Sequence, residues 1–421
     1  MPLNDSTTTA AAPTATTTTA APTPTPTPQS PCRVLLVFGT RPEAVKMAPL
    51  VQVLSNDPAF DCRVAVTAQH REMLDQVLRL FAIKPHYDLD IMRPQQSLED
   101  ITVKILQGIS GILAKEAPRV VLVHGDTSTA FAATLAAFYR QIDVGHVEAG
   151  LRTGKHYDPF PEEMNRRLVD AMATWHFAPT ATNRENLLAE NIKASGIFVT
   201  GNTVIEALRS AVNPQHVFHD AQLNAIVRSP GRMLLVTTHR RENIAAGRMP
   251  GLYRALRRIL ELFPDTRVVF AVHKNPAVRS IVEAELSGLE RLHLIEPPDY
   301  ADFINLEARA HLILTDSGGL QEEGPALGKP VLVLRETTER PEGVAAGVLR
   351  LVGTATENVV AAAAELLSDE AAYNRMARAI NPYGDGLAAI RIRDALKYAY
   401  MNGERPADFS IVGEALTTVA H

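Results

Sequence analysis

The stretch Val120–Thr153, VVLVHGDTSTAFAATLAAFYRQIDVGHVEAGLRT, constrains the fold of this chain more than any other. A short apolar run, Val120 to Val123, stops at His124-Gly125-Asp126, and an Ala-rich helical pattern follows from Thr127 to Tyr139. A second apolar run, Ile142 to Val147, stops at Glu148-Ala149-Gly150. Strand, helix and strand of this length make a βαβ crossover, which sets the carboxyl ends of both strands on one edge of a parallel sheet. Open α/β sheets bind ligands at that edge. Asp126 and Glu148 are therefore expected on one rim, and two carboxylates there suit proton transfer.

The same alternation runs from Cys32 almost to the end. Strand-length runs fall at 34–38, 64–67, 120–123, 142–147 and 197–200, and a second series at 233–237, 268–272, 292–295, 312–314, 331–334 and 349–352. Helical patterns such as 252–263, 304–310 and 359–367 separate most of them. Continuous apolar strands between helices signal parallel sheets covered on both faces. The expected fold class is α/β, with two doubly wound Rossmann-like domains facing a central cleft. The first spans 32–201 and the second 202–386, with a last helix at 387–400 returning to the first domain and a loose tail over 402–421. Polar and charged groups gather after the strands of both series, which places one polar cleft between the domains.

At 421 residues the chain accommodates two such domains plus tails. A net charge of −5 without any long Lys/Arg run gives no footprint for nucleic acid. Two cysteines, Cys32 and Cys62, are too few for a disulfide framework and fit a reduced compartment as buried thiols. Residues 1–31 are dominated by Thr, Ala and Pro; they lack the apolar core of a signal peptide and have little to bury, so a disordered tail is expected. No apolar run reaches the roughly 20 residues that span a bilayer, and a cytoplasmic setting is expected.

Individual motifs each carry two readings. Thr315-Asp316-Ser317-Gly318-Gly319 opens a helix bearing Glu322 and Glu323; free helix-start N–H groups suit phosphate oxygens, while Ser317 would equally serve as an N-cap. In Gly39–Lys46, Thr40 and Glu43 form a capping box, which makes Glu43 structural and leaves Arg41 and Lys46 to reach an anion. A single glycine there does not make a nicotinamide fingerprint, and GPALGKP at 324–330 is too short for a phosphate-binding Walker loop. No HExxH, CxxC or EF-hand pattern marks a metal site. Asp126 fits an N-cap as well as an acid, and Glu162 fits a helix start with Arg166 four residues on.

Taken in order, VFGTRPEAVKMAPL, TAQHREMLDQVL, HGDTSTA, GHVEAGLRTG, PFPEEMNRR, TGNTVIEAL, THRREN, LTDSGGLQEEGPALGKPVL and TTERPEG closely resemble the non-hydrolysing UDP-N-acetylglucosamine 2-epimerase family, from Arg33 to about Ala399. The resemblance implies a glycosyltransferase-B-like fold and a homodimer that interconverts UDP-GlcNAc and UDP-ManNAc without NAD or an obligatory metal, supplying ManNAc for cell-surface polysaccharide. Carbon 2 of the sugar has no adjacent carbonyl to acidify its C–H, so the implied route is elimination of UDP to 2-acetamidoglucal and re-addition after protonation from the opposite face. Such a path requires positioned carboxylates, groups that hold a departing diphosphate, and enclosure.

Carried over by motif, Asp126, Glu148 and Glu162 are the acid/base candidates, with His239 facing the diphosphate. Arg41 and Lys46 match substrate-site residues, Ser317, Gly318 and Gly319 would hold phosphate, and Glu323 the uridine ribose. Gln69, His70, Arg71, Arg241 and His273 match parts of a second, activating UDP-GlcNAc site, from which the chain departs at Gln95. A hydrolysing epimerase releasing free ManNAc and a glycosyltransferase on the same fold are the alternatives. A non-enzymatic nucleotide-sugar sensor would not require three acids near a diphosphate.

Overall fold

The computed structural model describes residues 30–69, 71–93, 96–238, 247–272 and 276–411. Of the features singled out above, residues 1–29, His70, Gln95, His239, Arg241, His273 and residues 412–421 lie outside the described residues.

Two sheets form, and every strand pair in them is parallel. The first has the order β3-β2-β1-β4-β5-β6-β7. It consists of β1 (Cys32–Phe38), β2 (Phe60–Val66), β3 (Tyr87–Asp88), β4 (Val120–His124), β5 (Asp143–Val147), β6 (Trp175–Ala178) and β7 (Ile197–Val199). The second has the order β10-β9-β8-β11-β12-β13. Its strands are β8 (Arg232–Thr238), β9 (Thr266–Val272), β10 (Leu292–Ile295), β11 (Leu312–Thr315), β12 (Val331–Val333) and β13 (Leu349–Leu351). Strand order reverses between β1 and β4 and again between β8 and β11, which creates a crevice at the carboxyl edge of each sheet. The central strands bury both faces, as in Val34 to Phe38 and Val120 to Val123, so their apolar runs are unbroken rather than alternating.

Two strands escape the hydropathy reading. β3 has two residues, and β6, WHFA, carries a buried histidine in a run of four. Both pair at or near a sheet edge through main-chain bonds that side-chain pattern does not encode.

Six helices matter to the site: α1 (Arg41–Ser55), α2 (Ser128–Tyr139), α3 (Glu162–Met172), α4 (Tyr300–Arg309), α5 (Leu320–Ala326) and α6 (Ala388–Met401). α6 packs on α1, with Ile392 and Leu396 fully buried in the same apolar cluster as Val34, Met47 and Leu50. Trp175 Nε1 donates to Tyr400 Oη at 2.7 Å, and Tyr400 donates to Asp143 at 2.9 Å. The end of the chain then corrects the expectation of a loose tail, at least over 402–411. Phe409 N–H donates to the Val199 carbonyl at 2.7 Å, Val199 N–H donates to Asp408 at 2.9 Å, and Arg405 reaches the Ile197 carbonyl at 2.7 Å. The open edge of β7 offers unpaired main-chain groups, and this segment satisfies them.

Candidate active site

The rim carboxylates arise from two sharp departures from strand geometry. Gly125 (φ +62°) turns the chain after β4, and Thr127, not Asp126, then caps α2 by accepting from Ala130 N–H at 3.1 Å. Asp126 is thereby spared capping duty. Its main-chain oxygen accepts from Asn165 Nδ2 at 2.9 Å, and its carboxylate pairs with Arg166. Arg166 thus corrects a sequence expectation. It engages Asp126 and, at 3.4 Å, Glu163, rather than Glu162 four residues before it. Glu162 opens α3, half-buried, and has no hydrogen-bond or ion-pair partner among the described residues.

Glu148 follows β5 with φ +66°. A side chain other than glycine in that left-handed region costs on the order of 1–3 kcal/mol and persists where the surroundings over-determine it. Lys46 Nζ lies 2.7 Å and 2.8 Å from the two carboxylate oxygens of Glu148, and His124 Nε2 lies 2.6 Å away. Burial opposes the charge on Glu148, but Lys46 and then His124 outweigh it and hold the carboxyl well below the usual range. For Lys46, burial likewise works against its charge, yet Glu148 and Glu322 raise its pKa.

The charges continue into the second half of the molecule. Lys46 Nζ is 3.1 Å from Glu322 on α5, and Arg340 Nε is 2.7 Å from the other Glu322 oxygen. Arg340 also meets Glu339 at 3.1 Å, and Glu339 meets Arg335 at 2.7 Å. Arg335, Arg340, Lys46, Asp126, Glu148 and Glu162 all border one cavity of about 650 Å³ between the two sheets. Acids and cations together around a void of that size can bind an anionic ligand and move protons on it.

The remaining predicted residues lie elsewhere. Ser317 is not the N-cap of α5, which begins after Gly319; the Ser317 N–H donates to Thr315 Oγ1 at 2.9 Å. Among the described residues, Ser317, Gly318, Gly319, Glu323 and Arg41 lie outside the wall of the acid-lined cavity. Glu323 is nonetheless next to Glu322 in sequence and feels the charge of Arg41 from the first half. Its charge is also felt by the fully buried Glu307, whose carboxyl burial and then Glu323 push well above the ordinary range. Gln69 accepts from Thr129 at 3.4 Å, and Arg71 is engaged by Asp75 at 3.0 Å and Asp88 at 2.6 Å. Glu43 is structural, as the capping box requires. Its carboxylate accepts from the N–H groups of Gly39 at 3.0 Å and Thr40 at 2.8 Å, and from Thr127 Oγ1 at 2.6 Å, locking the loop after β1 to the loop after β4. His219, Asp299 and Asp302 have metal-like spacing but line a separate cavity, where Asp299 caps α4 and Asp302 accepts from His216 at 2.6 Å.

The model of the family described as UDP-N-acetylglucosamine 2-epimerase matches residues 52–397. The chain belongs to that family. A UDP-N-acetylglucosamine 2-epimerase of Yersinia pestis is 55% identical over 370 residues, 87% of this chain and 98% of that protein. Its counterpart in Bacillus subtilis is 52% identical over 381 residues, 90% of this chain and 98% of that one. A crystal structure of the Neisseria meningitidis UDP-GlcNAc 2-epimerase bound to UDP-GlcNAc is 46% identical, with a TM-score of 0.78 over 87% of this chain and 100% of that chain. The charge network also includes residues that no single motif singles out. Glu322 and Arg340 both lay within quoted motifs, but their roles depend on a contact between the two halves. His146, the one ring inside the apolar run of β5, and Asp170, an acid eight residues past Glu162 on α3, have no role that local pattern assigns. No helix among the described residues is long and apolar enough to cross a membrane.

Proposed function

We propose that this chain interconverts UDP-GlcNAc and UDP-ManNAc, without net hydrolysis. The observation that carries the reading is the single cavity in which Asp126, Glu148 and Glu162 face Lys46, Arg335 and Arg340. A carboxylate takes the proton from carbon 2, the C–H electron pair becomes the C1–C2 double bond, and the C1–O pair departs with UDP. Protonation of 2-acetamidoglucal on its other face, with return of UDP to carbon 1, inverts the centre and restores the balance of atoms.

The surroundings divide the labour among the acids. Glu148, clamped by Lys46 and His124, is anionic and fixed. Asp126 is oriented by Arg166, and Glu162 faces the cavity without a protein partner among the described residues. An arriving diphosphate competes with Glu148 and Glu322 for Lys46 and Arg340, so substrate binding and release of the acids from their ion pairs are coupled. The loop Ser317–Gly319 and Glu323, beside this cluster, hold the nucleotide. The active species is a homodimer.

The test is incubation with UDP-GlcNAc in deuterium oxide. UDP-ManNAc bearing deuterium at carbon 2 is expected. Unlabelled, unchanged sugar refutes the reading, and accumulation of free ManNAc assigns the chain to hydrolytic chemistry instead.

A further inference from the structure

α3 does more than present Glu162. His146, with 0% exposure, sits in β5 with Nδ1 2.5 Å from Asp170 Oδ1 and Nε2 2.8 Å from the carbonyl oxygen of Gly125. A carbonyl only accepts, so Nε2 carries a hydrogen. Asp170 is equally committed as an acceptor. Its second carboxylate oxygen takes Gly150 N–H at 3.3 Å and Arg152 Nη2 at 2.8 Å. Burial opposes its ionisation, but His146 and then Arg152 outweigh that and bring its pKa down to about 2. On the other side, the Nδ1–Oδ1 contact is short enough to require one hydrogen between the ring and the carboxylate.

The two ends of this pair grip the two loops that bear the rim acids. Gly125 directly precedes Asp126, and Gly150 follows Glu148 by two residues. The Gly125 N–H also donates to the Val147 carbonyl at 2.9 Å, so the β4 loop is held from β5 at both of its main-chain groups. Asn165 and Arg166 hold Asp126 from the same helix one turn earlier. Charge is not required to fill this space, since packed apolar side chains serve a core at least as well as a buried ion pair. What a hydrocarbon lacks is a donor aimed at a catalytic loop carbonyl and an acceptor aimed at the other loop's N–H.

We propose that the buried His146–Asp170 pair forms a positioning device that fixes the Gly125–Asp126 and Glu148–Gly150 loops at one separation for proton transfer. Neither side chain borders the substrate cavity. The inference rests on the epimerase reading for its kinetic consequence, but the state of the ring does not.

Two measurements on the full chain decide it. Ring 15N NMR is expected to find the hydrogen of His146 on Nε2, with the resonance assigned by its loss in His146→Gln. A bare Nε2 overturns the proposal. In Asp170→Asn and His146→Gln, kcat for epimerisation is expected to fall by about 10²-fold, the scale of an ångström-sized misplacement, while KM and UDP affinity hold. Variants that melt at lower temperature yet keep the wild-type kcat assign the pair to stability alone and overturn it. If Asp170→Asn does not fold, the wild-type ring spectrum and His146→Gln still decide. A wild-type chain that never exchanges deuterium refutes the epimerase reading, and that result is read separately from the ring spectrum.

Discussion

Lys46 Nζ stands 2.7 Å from Glu148 and 3.1 Å from Glu322, so one ammonium joins the rim of the first sheet to a helix covering the second. All three side chains are nearly buried, at 13%, 8% and 4% exposure. Ion pairs removed from water in this way cost several kcal/mol when one partner is deleted, because the other charges are left without compensation.

Lys46→Met is therefore expected to lower stability by about 3 kcal/mol, read from urea unfolding. It should also cut epimerisation by at least about 10²-fold, since in the proposed reaction the same ammonium faces the diphosphate. A variant as stable as the parent would mean that the Glu148–Lys46–Glu322 chain contributes little in solution.

Glu148→Gln separates chemistry from binding. Deuterium incorporation at carbon 2 should drop by about 10²–10⁴-fold, the range for a positioned acid or base. UDP affinity, measured by calorimetry, should change little. Retained exchange would remove Glu148 from the chemistry.

Asp170 gives a pH signature. Its pKa is brought from 3.8 to about 2 in the folded state, so the stabilisation it provides is complete above about pH 4 and fades as pH falls towards 2. The contribution is about 2 kcal/mol. In Asp170→Asn that part of the acid dependence should vanish from the stability profile. An unchanged profile would contradict an ionised Asp170 in the folded chain.

Trp175 is the single tryptophan, and its indole N–H donates to Tyr400 on α6 at 2.7 Å. Tyr400→Phe leaves that largely buried donor unpaired and should cost about 1–3 kcal/mol, with a shift in tryptophan emission. Emission identical to the parent would mean that α6 does not dock as described.

Much of this was legible in the chain. The apolar runs of β1, β4, β5, β8, β9 and β11 announced two parallel sheets because central strands bury both faces and cannot hide their composition. Asp126, Glu148 and Glu162 could be named because strand ends and helix starts are local events, and their motifs resemble a family. Arg166 could not be read correctly. Helix spacing offered Glu162, but the guanidinium reaches Asp126 on a different strand's loop. Glu322 was legible beside Glu323 as an acid near a helix start, but its contact with Lys46, far away in the chain, was not.

The sequence by itself determined the alternation of strand and helix, the parallel sheets and the identity of the rim acids, since periodicity, turns and caps are set by neighbouring residues. Only the tertiary structure decided which charges compensate one another. Glu148 is anionic because Lys46 and His124 converge on it, Asp126 is oriented because α3 crosses behind it, and His146 is sealed between two acceptors. Coulomb energies and desolvation depend on distance in space, and separation along the chain does not encode them.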